Sequence, residues 1–152
     1  MCSGEVVGIY LTAQAGAVPV SRPCALAVPG RGLEGDRYFA GCGTWSYERR
    51  LWSDLTLVES EALDAAAKVG LHIEPGEARR NLVTVGVALD ELIGQSFRIG
   101  EVDAFGERTC DPCRHLDRLT SQSAKVALAG RGGLRVRIRS RGVIRVGDPV
   151  VL

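Results

Sequence analysis

Apolar and polar side chains alternate most regularly near the C-terminal end of the chain, over residues 134–139 (LRVRIR). Because successive side chains of a β-strand point to opposite faces, this pattern predicts a strand with one buried face and one basic face. Such a strand is typical of an antiparallel sheet. Its inward set is Leu134, Val136 and Ile138, and its outward set is Arg135, Arg137 and Arg139.

Other short apolar or β-branched runs, ended by glycine, proline or polar residues, predict further strands. We expect these strands at residues 5–13, 24–28, 55–58, 81–85, 97–105, 143–146 and 149–152, with an interruption at Gly100. The first two runs are neighbours along the chain, and we expect them to form a hairpin.

Helical spacing occurs over residues 59–69, where an acidic first turn precedes an alanine-rich middle. Lys68 in the last turn and Gly70 just beyond it are typical of a helix end. The residues expected to face the core are Leu63, Ala66 and Ala67. Shorter helical segments are expected at residues 89–93, from Asp111 onward and at residues 123–128.

Many short strands, two or three short helices and no βαβ alternation predict a mainly β fold. We expect a small closed antiparallel β-barrel with peripheral helices rather than a doubly wound sheet. The chain has 152 residues and 45% hydrophobic content, which suits one domain over residues 1–152 with a single core.

Cysteine usage and the lack of apolar runs point to the cytoplasm. No stretch of about 18 apolar residues is present for a membrane span, and the N-terminus lacks the pattern of a secretory signal. Five cysteines, an odd number, are better interpreted as free thiols or ligands than as a disulfide framework. We expect no chemical role for Cys2 and Cys24. The sequence leaves open whether the chain is a monomer or a homo-oligomer.

Positive charge is concentrated in the C-terminal third, although the formal net charge is only +1. Residues 107–145 contain ten Lys or Arg against three Asp or Glu. Of the 19 basic residues 17 are arginine, whose forked guanidinium suits phosphate and other planar oxyanions. The base composition of the source genome explains that bias equally well.

The segment Cys110-Asp111-Pro112-Cys113 predicts a cysteine thiolate at the start of a helix. Asp111 suits the N-cap and Pro112 the first helical position, which places Cys113 in the first turn. Unpaired amides and the helix dipole favour the ionised sulfur there, as would positive charge on the neighbouring Arg114 and His115. Cys113 is therefore a candidate nucleophile or metal ligand, although a pair of buried cysteines fits the spacing equally well.

Four patterns, taken in order, resemble the MOSC domain, the C-terminal domain of molybdenum cofactor sulfurase. They are residues 32–37 (GLEGDR), residues 79–82 (RRNL), residues 110–113 (CDPC), and Gly133-Leu134 leading to Gly147-Asp148. The resemblance spans nearly the whole chain and implies a β-barrel with peripheral helices.

The same resemblance implies the site. Cys113 matches the family's cysteine that carries sulfur or ligates molybdenum, and the dithiolene of the molybdopterin cofactor would supply further soft ligands. Arg79, Arg80 and Asn81 match a pattern expected to face the pterin or its phosphate. Further cofactor-binding candidates are Gly35, Asp36, Arg37, Cys110 and Arg114, with Asp36 expected mainly to stabilise its turn.

The implied function is molybdenum-cofactor binding or sulfur transfer through a Cys113 persulfide, extending to the reduction of N-hydroxylated substrates at a bound molybdenum centre. No pyridoxal-phosphate, flavin, haem or iron–sulfur motif is present. A cysteine desulfurase or external electron-transfer proteins are the expected partners.

Two alternatives belong to other functional classes. A structural zinc module would use Cys42, Cys110, Cys113 and His115, but only one C-x₂-C pair is present. A nucleic-acid-binding barrel would use the basic face of residues 134–139, but that region lacks stacking aromatics and aromatic content is 5%.

Overall fold

The computed structural model describes residues 3–13, 17–36, 39, 54–68, 70, 72, 80–110 and 133–152. The strands in these ranges are β1 (Ser3–Leu11), β2 (Val20–Ser21), β3 (Cys24–Val28), β4 (Gly32–Leu33), β5 (Leu55–Glu59), β6 (Leu82–Val85), β7 (Ser96–Ile99), β8 (Val102–Thr109), β9 (Leu134–Ile138), β10 (Gly142–Arg145) and β11 (Pro149–Val151). The helices there are α1 (Ser60–Lys68) and a short 3-10 helix (Leu89–Leu92). The helices predicted from Asp111 and at residues 123–128 lie outside the described residues.

Seven of the described strands form a closed barrel in the order β1-β6-β5-β9-β8-β7-β11, and β11 pairs back with β1. The predicted closed, mainly β barrel is therefore confirmed. Its neighbours are antiparallel except β5 and β6, which run parallel. The connection between these two strands contains α1, because parallel neighbours need a crossover that returns the chain to the starting edge.

The hairpin predicted between the first two strand segments is wrong. The short strand β2 intervenes and pairs with the end of β1, with Tyr10 opposite Ser21. β3 instead joins β10 and β4 in a separate three-stranded sheet. The edge of β1 is already occupied where a hairpin with β3 would have formed.

The alternation predicted for β9 is confirmed. Leu134, Val136 and Ile138 are buried, at 1%, 0% and 3% exposure. Arg135 and Arg137 are partly exposed, and Arg139, just beyond the strand, is exposed. β9 contributes its apolar face to the core and its arginines to the outside of the barrel.

Helix α1 packs its apolar side on the barrel through Ala62, Leu63 and Ala66. The prediction that Ala67 faces the core is wrong, because this residue is exposed. At 3.6 residues per turn, Ala67 lies about a quarter turn from the centre of the stripe formed by the three buried residues. None of the described helices is long and apolar enough to span a membrane.

Asp54, the residue immediately before β5, links the two sheets through hydrogen bonds. Its Oδ2 accepts hydrogen bonds from the backbone N–H of Gly30 at 3.2 Å and of Ile138 at 2.8 Å. The residue is 4% exposed, so these bonds form in a largely water-free environment, where they are stronger than at the surface. The turn between β3 and β4 is thereby fixed against the end of β9.

Candidate functional site

Two of the sequence motifs meet at Arg80 and Cys110. Arg80 lies two residues before β6, and Cys110 follows the last residue of β8. The guanidinium Nη2 of Arg80 donates a hydrogen bond of 3.0 Å to the carbonyl oxygen of Cys110. β5 and β9 separate these two strands in the barrel, so the long arginine side chain bridges elements that are not neighbours.

Arg80 is 9% exposed and Cys110 2% exposed. A guanidinium keeps its charge under all ordinary conditions, so Arg80 places a permanent positive charge in a largely buried position. An isolated buried charge is costly, and its hydrogen bond to the Cys110 carbonyl offsets part of that cost. The same charge attracts anions more strongly than an exposed arginine would, since solvent screens it less.

Cys110 is fixed from its other side by Gly133. The backbone N–H of Cys110 donates to the carbonyl of Gly133 at 2.8 Å, directly beyond the last strand pair, Thr109 with Leu134. Gly133 has φ +118°, and a Cβ there would clash with the carbonyl oxygen of Leu57. The close approach of Gly133 to Leu57 therefore requires glycine, and the hydrogen bond to Cys110 closes the β8–β9 ladder.

Asn81, next to Arg80, connects three barrel strands. Its side-chain Oδ1 accepts from the backbone N–H and the hydroxyl of Thr56, at 3.1 and 3.3 Å. Its own N–H donates to the Thr56 hydroxyl at 3.1 Å, and its Nδ2 donates to the Tyr10 carbonyl at 3.4 Å. These bonds hold the backbone that carries Arg80; contact between Asn81 and a pterin stays a prediction. Sequence reasoning did not assign a role to Thr56, and no motif includes it.

The glycine-aspartate pair at Gly35 and Asp36 is attached to the end of β1. Asp36 is 4% exposed, and its Oδ1 accepts a hydrogen bond of 2.9 Å from the backbone N–H of Thr12. Gly35 has φ +96°, a conformation that favours glycine. Asp36 thus anchors the segment that follows β4 to the end of β1, the strand whose Tyr10 contacts Asn81.

The remaining candidate site residues lie outside the described residues. The predicted site residues outside the described ranges are Arg37, Arg79, Cys113 and Arg114, together with Cys42 and His115 of the zinc alternative. In the part of the chain that the structure describes, no group of three or more His, Cys, Asp or Glu side chains is arranged to hold a metal ion. Of the four proposed zinc ligands only Cys110 lies in that part, so the zinc hypothesis stays untested.

Sequence comparison places the chain in a family. The profile of the MOSC domain matches residues 52–151, which include the Arg80–Cys110 contact and most of the barrel strands. The chain belongs to the MOSC domain family, as its four sequence patterns predict. A comparison with curated proteins gave no significant match.

Solved structures with the same fold include the YuaD protein of Bacillus subtilis, with a TM-score of 0.78, 19% identity, and coverage of 97% of this chain and 94% of that one. YiiM of Geobacillus stearothermophilus has a TM-score of 0.67 and 16% identity, over 98% of this chain and 72% of that one. YiiM of Escherichia coli has a TM-score of 0.65 and 20% identity, over 97% and 69%. At 16–20% identity these structures show that the fold is shared.

Of the described residues at this end of the barrel, Arg80 has the chemistry that an anionic cofactor requires. Arg80 supplies a largely buried positive charge, and arginine is the side chain best suited to phosphate and other planar oxyanions. A Cβ at Gly133 would meet the backbone of Leu57 and one at Gly35 would meet the side chain of Leu11, so protein atoms already occupy the space beside both glycines. The feature of this end of the barrel that suits a cofactor with a phosphate group is therefore the charge of Arg80.

Proposed function

We propose that this MOSC domain protein binds a molybdenum cofactor or carries sulfur at the barrel end where Arg80 contacts Cys110. The single observation that carries the proposal is that 3.0 Å hydrogen bond, because it joins the arginine–asparagine motif to the beginning of the C-x₂-C motif. Cys113, three residues beyond Cys110, is the reactive sulfur in this proposal.

In this proposal each residue has a distinct task. Cys113 acts as the molybdenum ligand or as the sulfur carrier. Arg79 and Arg80 attract the phosphate of the cofactor, and Asn81 supports the backbone that carries them. When bound, the cofactor supplies two-electron redox chemistry, and external donor proteins deliver the electrons for reduction of N-hydroxylated substrates.

The sulfur-carrier form requires a partner that holds a persulfide, such as a cysteine desulfurase. The Cys113 thiolate attacks the terminal sulfur of the donor persulfide, a new S–S bond forms at Cys113, and the old S–S bond breaks. The donor cysteine leaves as a thiolate, so the step needs no external oxidant or reductant. An electropositive setting for Cys113 favours the attacking thiolate.

Purification from a host that makes molybdenum cofactor separates the two forms. Protein prepared with and without air is assayed for molybdenum by mass spectrometry, for pterin by fluorescence and for Cys113 persulfide by peptide mass spectrometry. We expect molybdenum and pterin together, or persulfide on Cys113, in the wild type and neither in Cys113→Ser. Cys24→Ser is the matched control, since Cys24 is exposed at the start of β3. Absence of all three signals from the wild type would refute the proposal.

A further inference from the structure

The outside of the β8–β9 ladder carries a cluster of arginines that the proposed chemistry does not use. We call it the arginine face and define it as Arg108, Arg135, Arg137 and Arg139. The first three are partly exposed and the last is exposed. On this ladder Arg108 and Arg135 are direct cross-strand partners, and Phe105 is opposite Arg137.

Charge on this face is poorly balanced among the described residues. Like charges placed opposite each other on neighbouring strands destabilise a sheet, and Arg108 with Arg135 is such a pair. Two described carboxylates lie on this face. Glu107 is shared, with its Oε1 2.9 Å from Nε of Arg137 and its Oε2 3.9 Å from Nη1 of Arg108. Asp103 is ion-paired with Arg98 of the neighbouring strand at 3.2 Å. Among the described residues the four guanidinium groups of the face therefore accompany two carboxylates, a positive excess that favours binding of an anionic surface.

The arginine face borders the candidate site. β8, which carries Arg108, ends one residue before Cys110, and β9 begins immediately after Gly133. The hydrogen bond between Cys110 and Gly133 closes this end of the ladder. A molecule held on the face is therefore adjacent to the point where the chain leads toward Cys113.

We propose that the arginine face docks an acidic surface of the protein that exchanges sulfur or electrons with Cys113, an inference that rests on the proposed function. Protein carboxylates suit this face better than nucleic acid does. Arg139 lies over the ring of Phe105, 4.9 Å from its centroid, so the ring is covered and cannot act as a base-stacking platform. A net charge of +1 gives little long-range attraction for a polyanion, whereas a local patch suffices to orient a transient protein partner.

The test uses a short fluorescein-labelled oligoglutamate as the probe, with fluorescence anisotropy at an ionic strength of about 0.15 M. The variant Arg135→Gln/Arg139→Gln removes two charges from the face. Its matched control, Arg22→Gln/Lys68→Gln, removes two exposed charges elsewhere on the chain. We expect the face variant to bind about tenfold more weakly and the control to change less than about twofold, with both melting temperatures preserved.

Three outcomes would overturn the proposal: no saturable binding, equal loss in both variants, or tighter binding of a labelled oligonucleotide that the face variant abolishes. The last would assign the face to nucleic acid. Cys113→Ala should bind the oligoglutamate like the wild type. If the wild-type protein lacked molybdenum, pterin and persulfide but still bound oligoglutamate through the face, the proposed function would be contradicted and the docking face would stand.

Discussion

The guanidinium of Arg80 donates a 3.0 Å hydrogen bond to the carbonyl oxygen of Cys110, 30 residues further along the chain. Through this bond the residue that introduces β6 supports the end of β8. Both residues are largely buried, so water does not readily replace the hydrogen bond of one group when the other is removed. The backbone at Cys110 is therefore coupled to the arginine–asparagine motif.

Replacement of Arg80 by alanine is expected to weaken both stability and anion binding. Loss of the donor leaves the buried Cys110 carbonyl without this bond, which costs about 1–3 kcal/mol in the free energy of unfolding measured in urea. Cofactor or phosphate binding is expected to weaken by about 1.5–3 kcal/mol, the usual scale for a charge-assisted hydrogen bond. Arg22→Ala, an exposed arginine, serves as the control. Unchanged phosphate binding by Arg80→Ala would exclude Arg80 from the anion site.

Cys113 is expected to be the most reactive of the five cysteines. A limiting alkylating reagent near neutral pH should label it first, because the predicted helix start and nearby cations favour its thiolate. Cys110 is 2% exposed and should react slowly, whereas Cys24 is exposed and tests whether accessibility alone decides the order. Peptide mass spectrometry measures the order of labelling. A fast phase that survives in Cys113→Ala, or earlier labelling of Cys24, would contradict the assignment.

Asn81 and Thr56 are expected to stabilise the barrel as a coupled pair. Asn81→Ala removes the acceptor of two Thr56 hydrogen bonds and should lower the free energy of unfolding by about 2–3 kcal/mol. A double-mutant cycle with Thr56→Val should give a coupling energy above about 0.5 kcal/mol. Thr109→Val, at an exposed strand end, is the control and should change stability by less than about 0.5 kcal/mol. Additive effects of the two substitutions would show that the bonds contribute independently of each other.

Gly30, in the turn between β3 and β4, and Gly32, the first residue of β4, should respond differently to replacement by alanine. Both have positive φ, +75° at Gly30 and +101° at Gly32, so each substitution introduces backbone strain of about 1–2 kcal/mol. A Cβ at Gly32 would lie 2.5 Å from the carbonyl oxygen of Asp54, whereas one at Gly30 meets nothing within 4 Å. Gly32→Ala should therefore be the more destabilising by at least about 1 kcal/mol in thermal unfolding. If both substitutions lowered the free energy of unfolding equally, the Asp54 backbone would have moved to accommodate the new Cβ without loss of stability.

Local pattern alone determined much of the secondary structure. The strand at residues 24–28 has the predicted bounds, β9 ends one residue before the predicted 134–139, and helix α1 begins one residue after the predicted start at residue 59. Alternation of apolar and polar side chains is visible in the sequence alone, so it indicates which residues form a strand and which of them face the core. The sequence motifs likewise identified Arg80, Asn81 and Cys110 as candidates, but they did not show which residues each one contacts.

Tertiary structure decided which strands pair and which side chains contact each other. The strands that pair with β3, and the parallel pairing of β5 with β6, depend on how the whole chain packs. The same packing brings Arg80 to Cys110 and turns the side chain of Asn81 toward Thr56. Sequence spacing could not give these contacts, because they join residues far apart along the chain whose approach is set by packing of the whole core.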